Sequence, residues 1–215
     1  MNPTVSILIP FRSDDPHRQR LWQHCRTLWQ HSEYELVEGR DAGTGPFNIA
    51  EAFNDAASRA TGDFLILFGA DHLPDMGRVE WAIEQLRFHP WVPLYAETAG
   101  LSKQDTFAIL NGYDPAKVPV TDVAPFCTAI IGIRRDSWVR FDTRFQGWGG
   151  EDTAWRMLLE HLYGPAPTPT GRLLCLWHEA ARRTHTEANF ALIGEYMAAA
   201  ERGELREYAE QRGLL

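Results

Sequence analysis

"GDFLILFGADHLP", Gly62 to Pro74, decides the architecture. Phe64 to Phe68 are apolar without interruption, which suits a strand buried on both faces rather than one with a wet side. The run ends in a glycine and a carboxylate, Asp71. Upstream, "TVSILIP" (Thr4–Pro10) is a second β-branched, apolar strand, closed by a proline. Between the two lies "DDPHRQRLWQHCRTLWQH", in which Asp15 is placed to cap a helix and Pro16 to occupy its first position. Leu21, Trp22, Cys25, Leu28 and Trp29 recur at helical spacing. "YELVE" (Tyr34–Glu38) predicts a further strand, and "GRDAGTGP" a glycine-rich loop. "FNIAEAFNDAASRA" (Phe47–Ala60) predicts a second amphipathic helix.

Strand, helix, strand, helix, strand within about seventy residues indicates parallel βαβ units. Right-handed crossovers then line the strand C-termini along one edge, where sheets of this kind bind ligands. The groups to inspect are therefore Phe11 to Asp14, Glu38 to Asp41, and Asp71 with His72. Downstream, "WVPLYAET", "CTAIIGI" and "GRLLCLWH" predict strands, and "RRDSWVRF" a short helix. "EDTAWRMLLEHLY" predicts a helix, and "NFALIGEYMAAAERGELREYAEQ" a long C-terminal one. There is no repeat and no linker. The expectation is one α/β, Rossmann-like domain over 1–215, with a mixed, mainly parallel central sheet flanked by helices.

The formal charge of −8 is spread along the chain, which argues against binding nucleic acid or anionic lipid. Cys25, Cys127 and Cys175 are few and widely spaced, so no disulfide framework follows and a reducing, cytoplasmic setting is expected. No run approaches the ~18 apolar residues of a membrane span, and "TVSILIP" is too short for a signal sequence.

Three clusters could carry chemistry. Asp71 at a strand end could hold a divalent cation, or cap the helix that follows; His72 is read as a turn residue. "CLWHEAARRTH" (Cys175–His185) offers His178, at another strand end, to the same cation. Cys175 is either a soft ligand or a buried strand residue, and Arg182, Arg183 and His185 either face phosphate or form a solvated turn. "FQGWGGEDTAW" (Phe145–Trp155) joins mobile glycines, an indole at Trp148 suited to a sugar face, and two carboxylates. Glu151 and Asp152 are either first-turn acids favoured by the helix dipole or, beside that indole, a general base.

In their order and spacing, "ILIPFR" (Ile7–Arg12), "FNIAEAFNDA", "LFGADHLP", "GWGGED" (Gly147–Asp152) and "LWH" (Leu176–His178) resemble the GT-A glycosyltransferases. The similarity is greatest to the β-1,4-galactosyltransferase-like group, with kinship to family 2. The resemblance implies a nucleotide-binding half over 1–75, an acceptor and catalytic half over 76–190, and a C-terminal helix over 190–215. It places Pro10, Phe11, Arg12, Phe47 and Ala70 at the nucleotide, with Glu38 or Asp41 reading the base. Asp71 falls on the last acid of the metal-binding Asp-X-Asp motif, His178 on a metal histidine, and Cys175 on a third ligand. Trp148 falls on the residue that closes over the sugars, Glu151 on a sugar-binding acid, and Asp152 on the base. Gly69 stands where the first acid of the motif is expected.

These matches imply a Mn²⁺- or Mg²⁺-dependent inverting transfer of a hexose from a nucleotide-sugar, UDP-linked, to a glycan, protein or small-molecule acceptor. Two other readings stay open: a nucleotidyltransferase of similar fold, and a non-catalytic glycan-binding or nucleotide-sugar-binding module.

Overall fold

The structure is a computed structural model; it describes residues 3–30, 32–43, 45–120, 122–125, 130–147, 149–179 and 184–215. Trp148, Cys127, Arg182 and Arg183, singled out above, lie outside the described residues.

Strand β1 (Val5–Pro10) is buried along its whole length. It pairs in parallel with β2 (Glu35–Gly39) on one side and β3 (Phe64–Leu67) on the other. The sheet continues antiparallel through β8 (Ile131–Arg134) to β5 (Trp91–Pro93), in the order β2-β1-β3-β8-β5. Alternation along β1 divides the core. Val5, Ile7 and Ile9 face Leu21, Trp22 and Cys25 of α1 (Pro16–Trp29), together with Val79 and Leu86 of α3 (Met76–Leu86). Leu8 faces the other way, with Phe53 of α2 (Ile49–Arg59), Trp155 and Leu158 of α5 (Glu151–Tyr163), and Tyr196 of α6 (Thr186–Glu201). Two dry faces on one strand explain why its sequence shows no polar alternation.

The helix starts follow local chemistry. Asp15 accepts from His17 N with Pro16 at the first position, as expected, and Asn48 and Asp75 cap α2 and α3 in the same way. Gly39 at the end of β2 has a steric reason: a Cβ there would run into the carbonyl of Ala52, so α2 could not lie so close to the sheet.

The second half departs from expectation in three places. "WVPLYAET" is not one strand. Its first part is β5, and its end is β6 (Glu97–Gly100), which belongs to a second sheet ordered β4-β9-β6-β7. That sheet contains β4 (His72–Leu73), β9 (Arg172–Cys175) and β7 (Asp122–Pro125), and α4 (Lys103–Leu110) lies between β6 and β7 in sequence. "RRDSWVRF" forms only a 3₁₀ turn, Arg135–Ser137. The long C-terminal helix is two, α6 and α7 (Leu205–Glu210), because Gly203 turns left-handed at φ 74°. Among the described residues no helix is long and apolar enough to cross a membrane.

Candidate active site

β3 stops at Leu67, and the chain turns through Gly69–His72, where His72 N donates to Gly69 O at 3.3 Å. The turn brings Asp71 against the exit of β9: Leu176 N donates to the Asp71 carbonyl at 2.9 Å. Two residues on, His178 Nε2 donates to Asp71 Oδ2 at 2.8 Å, and His178 Nδ1 lies 2.7 Å from Glu179 O. Burial opposes the Asp71 charge, but His72, His178 and Arg18 outweigh it and hold the carboxyl well below its usual range. Burial pushes the His72 imidazole down, against the Asp71 charge beside it. The hydrogen bond to Asp71 pushes the His178 imidazole up.

The ring of His72 occupies the space over Gly69. A Cβ at Gly69 would lie 2.6 Å from His72 Cε1, and His72 Nδ1 is buried with no hydrogen-bond partner among the described residues. An acid at position 69 and an imidazole in this pose exclude each other, which gives a physical reason for the missing first acid. Cys175 sits across from His72 in the β4–β9 pairing, half-buried, over the buried Cys25. Among the described residues no three His, Cys, Asp or Glu side chains gather as a ligand cluster. Asp71 and His178 meet; Cys175 does not join them.

At the neighbouring strand ends a second cluster forms. Arg12, just beyond β1, has Nε 3.3 Å from Asp41 Oδ1, donates through Nη2 to Gly45 O at 2.9 Å, and lies 5.8 Å from the Phe47 ring centroid. Asp41 is held by Asn48 N at 3.0 Å, and its side chain is only 2% exposed. Beyond the ion pair with Arg12, its Oδ1 accepts no hydrogen bond among the described residues. Glu38 takes no part: its carboxylate pairs with Arg26 of α1 at 3.5 Å. Pro10 ends β1 opposite Gly39, Phe11 is tucked against Trp22, and Ala70 is buried in the turn before Asp71.

The segment before α5 is pinned. Asn189 of α6, buried, donates to Gln146 O and Gly149 O, each at 2.9 Å, and accepts from Gln146 N. No motif announced Asn189; its only sequence signal is an amide beside the apolar start of a helix. Gly147, Gly149 and Gly150 all have positive φ, at 68°, 94° and 103°. A Cβ on Gly150 would press on Phe145 and Ile193, and one on Gly147 on Thr184. These glycines therefore meet a steric requirement of the resting fold, whatever movement they also permit. The contact with Thr184 brings the chain leaving His178 back to this loop.

Glu151 and Asp152 open α5 and, with Asn189 and Phe190, border a cavity of about 370 Å³. Asp152 Oδ1 accepts from Thr153 N at 2.7 Å. Burial, and next the Asp152 charge, push Glu151 up to about 7. Trp155 is core: stacked on Phe141 at 4.4 Å, it donates to Val139 O.

The arrangement of strands and helices that carries these clusters is shared with solved structures. Glucosyl-3-phosphoglycerate synthase from Mycobacterium tuberculosis, in complex with Mn²⁺, UDP-glucose and phosphoglyceric acid, superimposes with a TM-score of 0.53 at 13% identity. The match covers 89% of this chain and 77% of that one. The fold is GT-A. The same enzyme with phosphoglyceric acid alone matches at a TM-score of 0.48 and 13% identity, over 99% of this chain and 81% of that one. A Drosophila β-1,4-galactosyltransferase 7 mutant, in complex with manganese, UDP-Gal and xylobiose, matches at 0.43 and 17% identity. That match covers 79% of this chain, which spans 64% of the galactosyltransferase chain. No family model matches the chain, and no curated protein does.

Proposed function

We propose that this chain is a metal-dependent, inverting glycosyltransferase that moves a hexose from a UDP-linked donor to an acceptor hydroxyl, in the cytoplasm. The contact between Asp71 and His178 at the carboxyl end of the sheet carries this reading. Two ligand atoms 2.8 Å apart suit neighbouring positions on a hard cation, whose ligands at ~2.1 Å and right angles stand ~3 Å apart. One carboxylate and one imidazole would suit Mn²⁺ or Mg²⁺. Such an ion supplies charge neutralisation for the leaving diphosphate.

The residues then divide the work. Asp71 and His178 would hold the ion, and His178 Nε2 would first have to give up the proton it donates to Asp71. Asp41 Oδ1, ion-paired with Arg12 but accepting no hydrogen bond among the described residues, accepts a base N–H, while Phe47 and Arg12 hold the base and ribose over the strand ends. Asp152 takes the proton of the attacking hydroxyl as the new C–O bond forms and the bond to the diphosphate breaks on the opposite face. Glu151 holds a sugar hydroxyl within the adjoining cavity.

One observation favours exchanging the two acids. A base works best with a pKa near the working pH, and it is Glu151 that is pushed to about 7. Asp152→Asn and Glu151→Gln, assayed for UDP release with and without acceptor, decide between them. The base variant should lose at least about a hundredfold in turnover with donor binding intact, and the other variant should mainly raise KM. Full activity in both would sink the transferase reading.

A further inference from the structure

We propose that the cleft between α1 and α4 binds a small amphiphilic anion, an apolar chain or ring carrying a single phosphate or carboxylate. The proposal goes beyond the transfer reading and does not rest on it. The cleft is a cavity of about 440 Å³ lined by His17, Arg20, Lys103, Gln104, Phe107 and Leu110, within the ~300–1,000 Å³ usual for small-molecule sites.

Its floor is apolar where solvent would call for polar residues. Helix α4 turns Thr106 and Ile109 into the core, yet Phe107 on its outer side is 61% exposed. Its rim is cationic. Arg20 lies 5.7 Å from the Phe107 ring centroid, and Lys103 Nζ lies 4.9 Å from that of Trp177. Neither cation forms an ion pair among the described residues, although the chain carries a formal charge of −8. The acids on the same two helices are engaged elsewhere: Asp15 caps α1, and Asp105 is bonded to Ser102. Two cations held over aromatic rings, with no acid among the described residues that line the cavity, suit an anionic group bound between them. Phe107 and Leu110 suit the apolar remainder. A neutral sugar would leave both charges unused, and inorganic phosphate would leave the floor wet.

The cleft also touches the candidate active site. His17 Nε2 lies 2.9 Å from Trp177 O and its ring 5.5 Å from the Trp177 ring, and Trp177 N donates to Thr106 Oγ1 at 2.7 Å. Trp177 precedes His178, so a ligand in the cleft rests on the wall that positions the Asp71 partner.

Calorimetric titration of the full chain with monomeric octyl phosphate, octanoate, octyl glucoside and inorganic phosphate tests the site. The two amphiphilic anions should bind at least about tenfold tighter than octyl glucoside or phosphate, weakening as salt rises. Arg20→Glu, Lys103→Glu and Phe107→Ser should each lose about tenfold or more, with circular dichroism unchanged because all three side chains are exposed. Equal affinity for octyl glucoside and octyl phosphate would overturn the proposal, as would binding unaffected by the three substitutions, or no binding. Binding to phosphatidylcholine–phosphatidylglycerol vesicles without binding of monomeric octyl phosphate would also overturn it, since the patch would then sense a charged surface rather than hold one ligand.

Discussion

His178 Nε2 donates to Asp71 Oδ2 at 2.8 Å, joining the turn after β3 to the exit of β9. Neither residue has a near neighbour of the other in sequence. They meet because β9 pairs with β4 immediately after Asp71.

If this pair receives the ion, His178→Ala should weaken Mn²⁺ binding by at least about tenfold. Manganese electron paramagnetic resonance reads this without turnover. Cys175→Ala, whose side chain stands apart from the pair, should leave the affinity within about twofold of the parent.

Gly69 and His72 should be coupled. Gly69→Ala forces a Cβ into the His72 ring and should cost about 1–3 kcal/mol, although the backbone there suits any L-residue. In a His72→Ala background the same change should cost about 0.5 kcal/mol or less, read by urea denaturation as a double-mutant cycle. Additive costs would show that the ring is not the obstacle.

Glu151 should make the fold weaken as pH rises. Its carboxyl is pushed from 4.5 to about 7, so between those values the unfolded chain loses this proton while the folded chain keeps it. The unfolded state then binds fewer protons, and the unfolding free energy falls with pH across that window, by roughly 3 kcal/mol in total. Glu151→Gln should abolish that slope in denaturant titrations from pH 4.5 to 7.

Arg144 supports a buried acid, Asp142. Its guanidinium meets Asp142 Oδ2 at 2.6 Å and also reaches Glu195 and Tyr208, while Tyr196 donates to the same Asp142 oxygen. The Asp142 side chain is 5% exposed. Arg144→Ala should therefore cost about 3–5 kcal/mol by stranding that charge. Burial alone would push Asp142 up, yet Arg144 and Tyr196 hold it down, so their contribution is present above the ordinary carboxylate range and lost as pH falls through the lowered value. Urea midpoints of Arg144→Ala and of Asp142→Asn/Arg144→Ala check this; the double variant should recover part of the loss.

The first half of the fold was legible because each element announces itself locally. β1 and β3 are too apolar to have a wet face, and Asp15–Pro16 and Asn48 are caps whose partners lie within three residues. "WVPLYAET" was not divisible in the same way: Trp91 and Glu97 are both strand residues, and only their distant partners, Ile133 and Arg172, assign them to different sheets. In the site, Asp71 and His178 could be named from their places after strands. The choice between Glu38 and Asp41 could not. Both are acids at the end of β2, and only the pairing of Glu38 with Arg26 on α1 and the seating of Asp41 on Asn48 N separates them.

The chain by itself determined the βαβ order, the helix caps, and the acids and imidazole offered at the strand ends, because hydrophobic period and capping are properties of a few consecutive residues. The tertiary structure decided which of those groups meet. It set His178 on Asp71 and the His72 ring over Gly69, tied Gln146 and Gly149 to Asn189, and raised Glu151. Contacts across the fold and removal from water depend on neighbours that no local stretch of sequence contains.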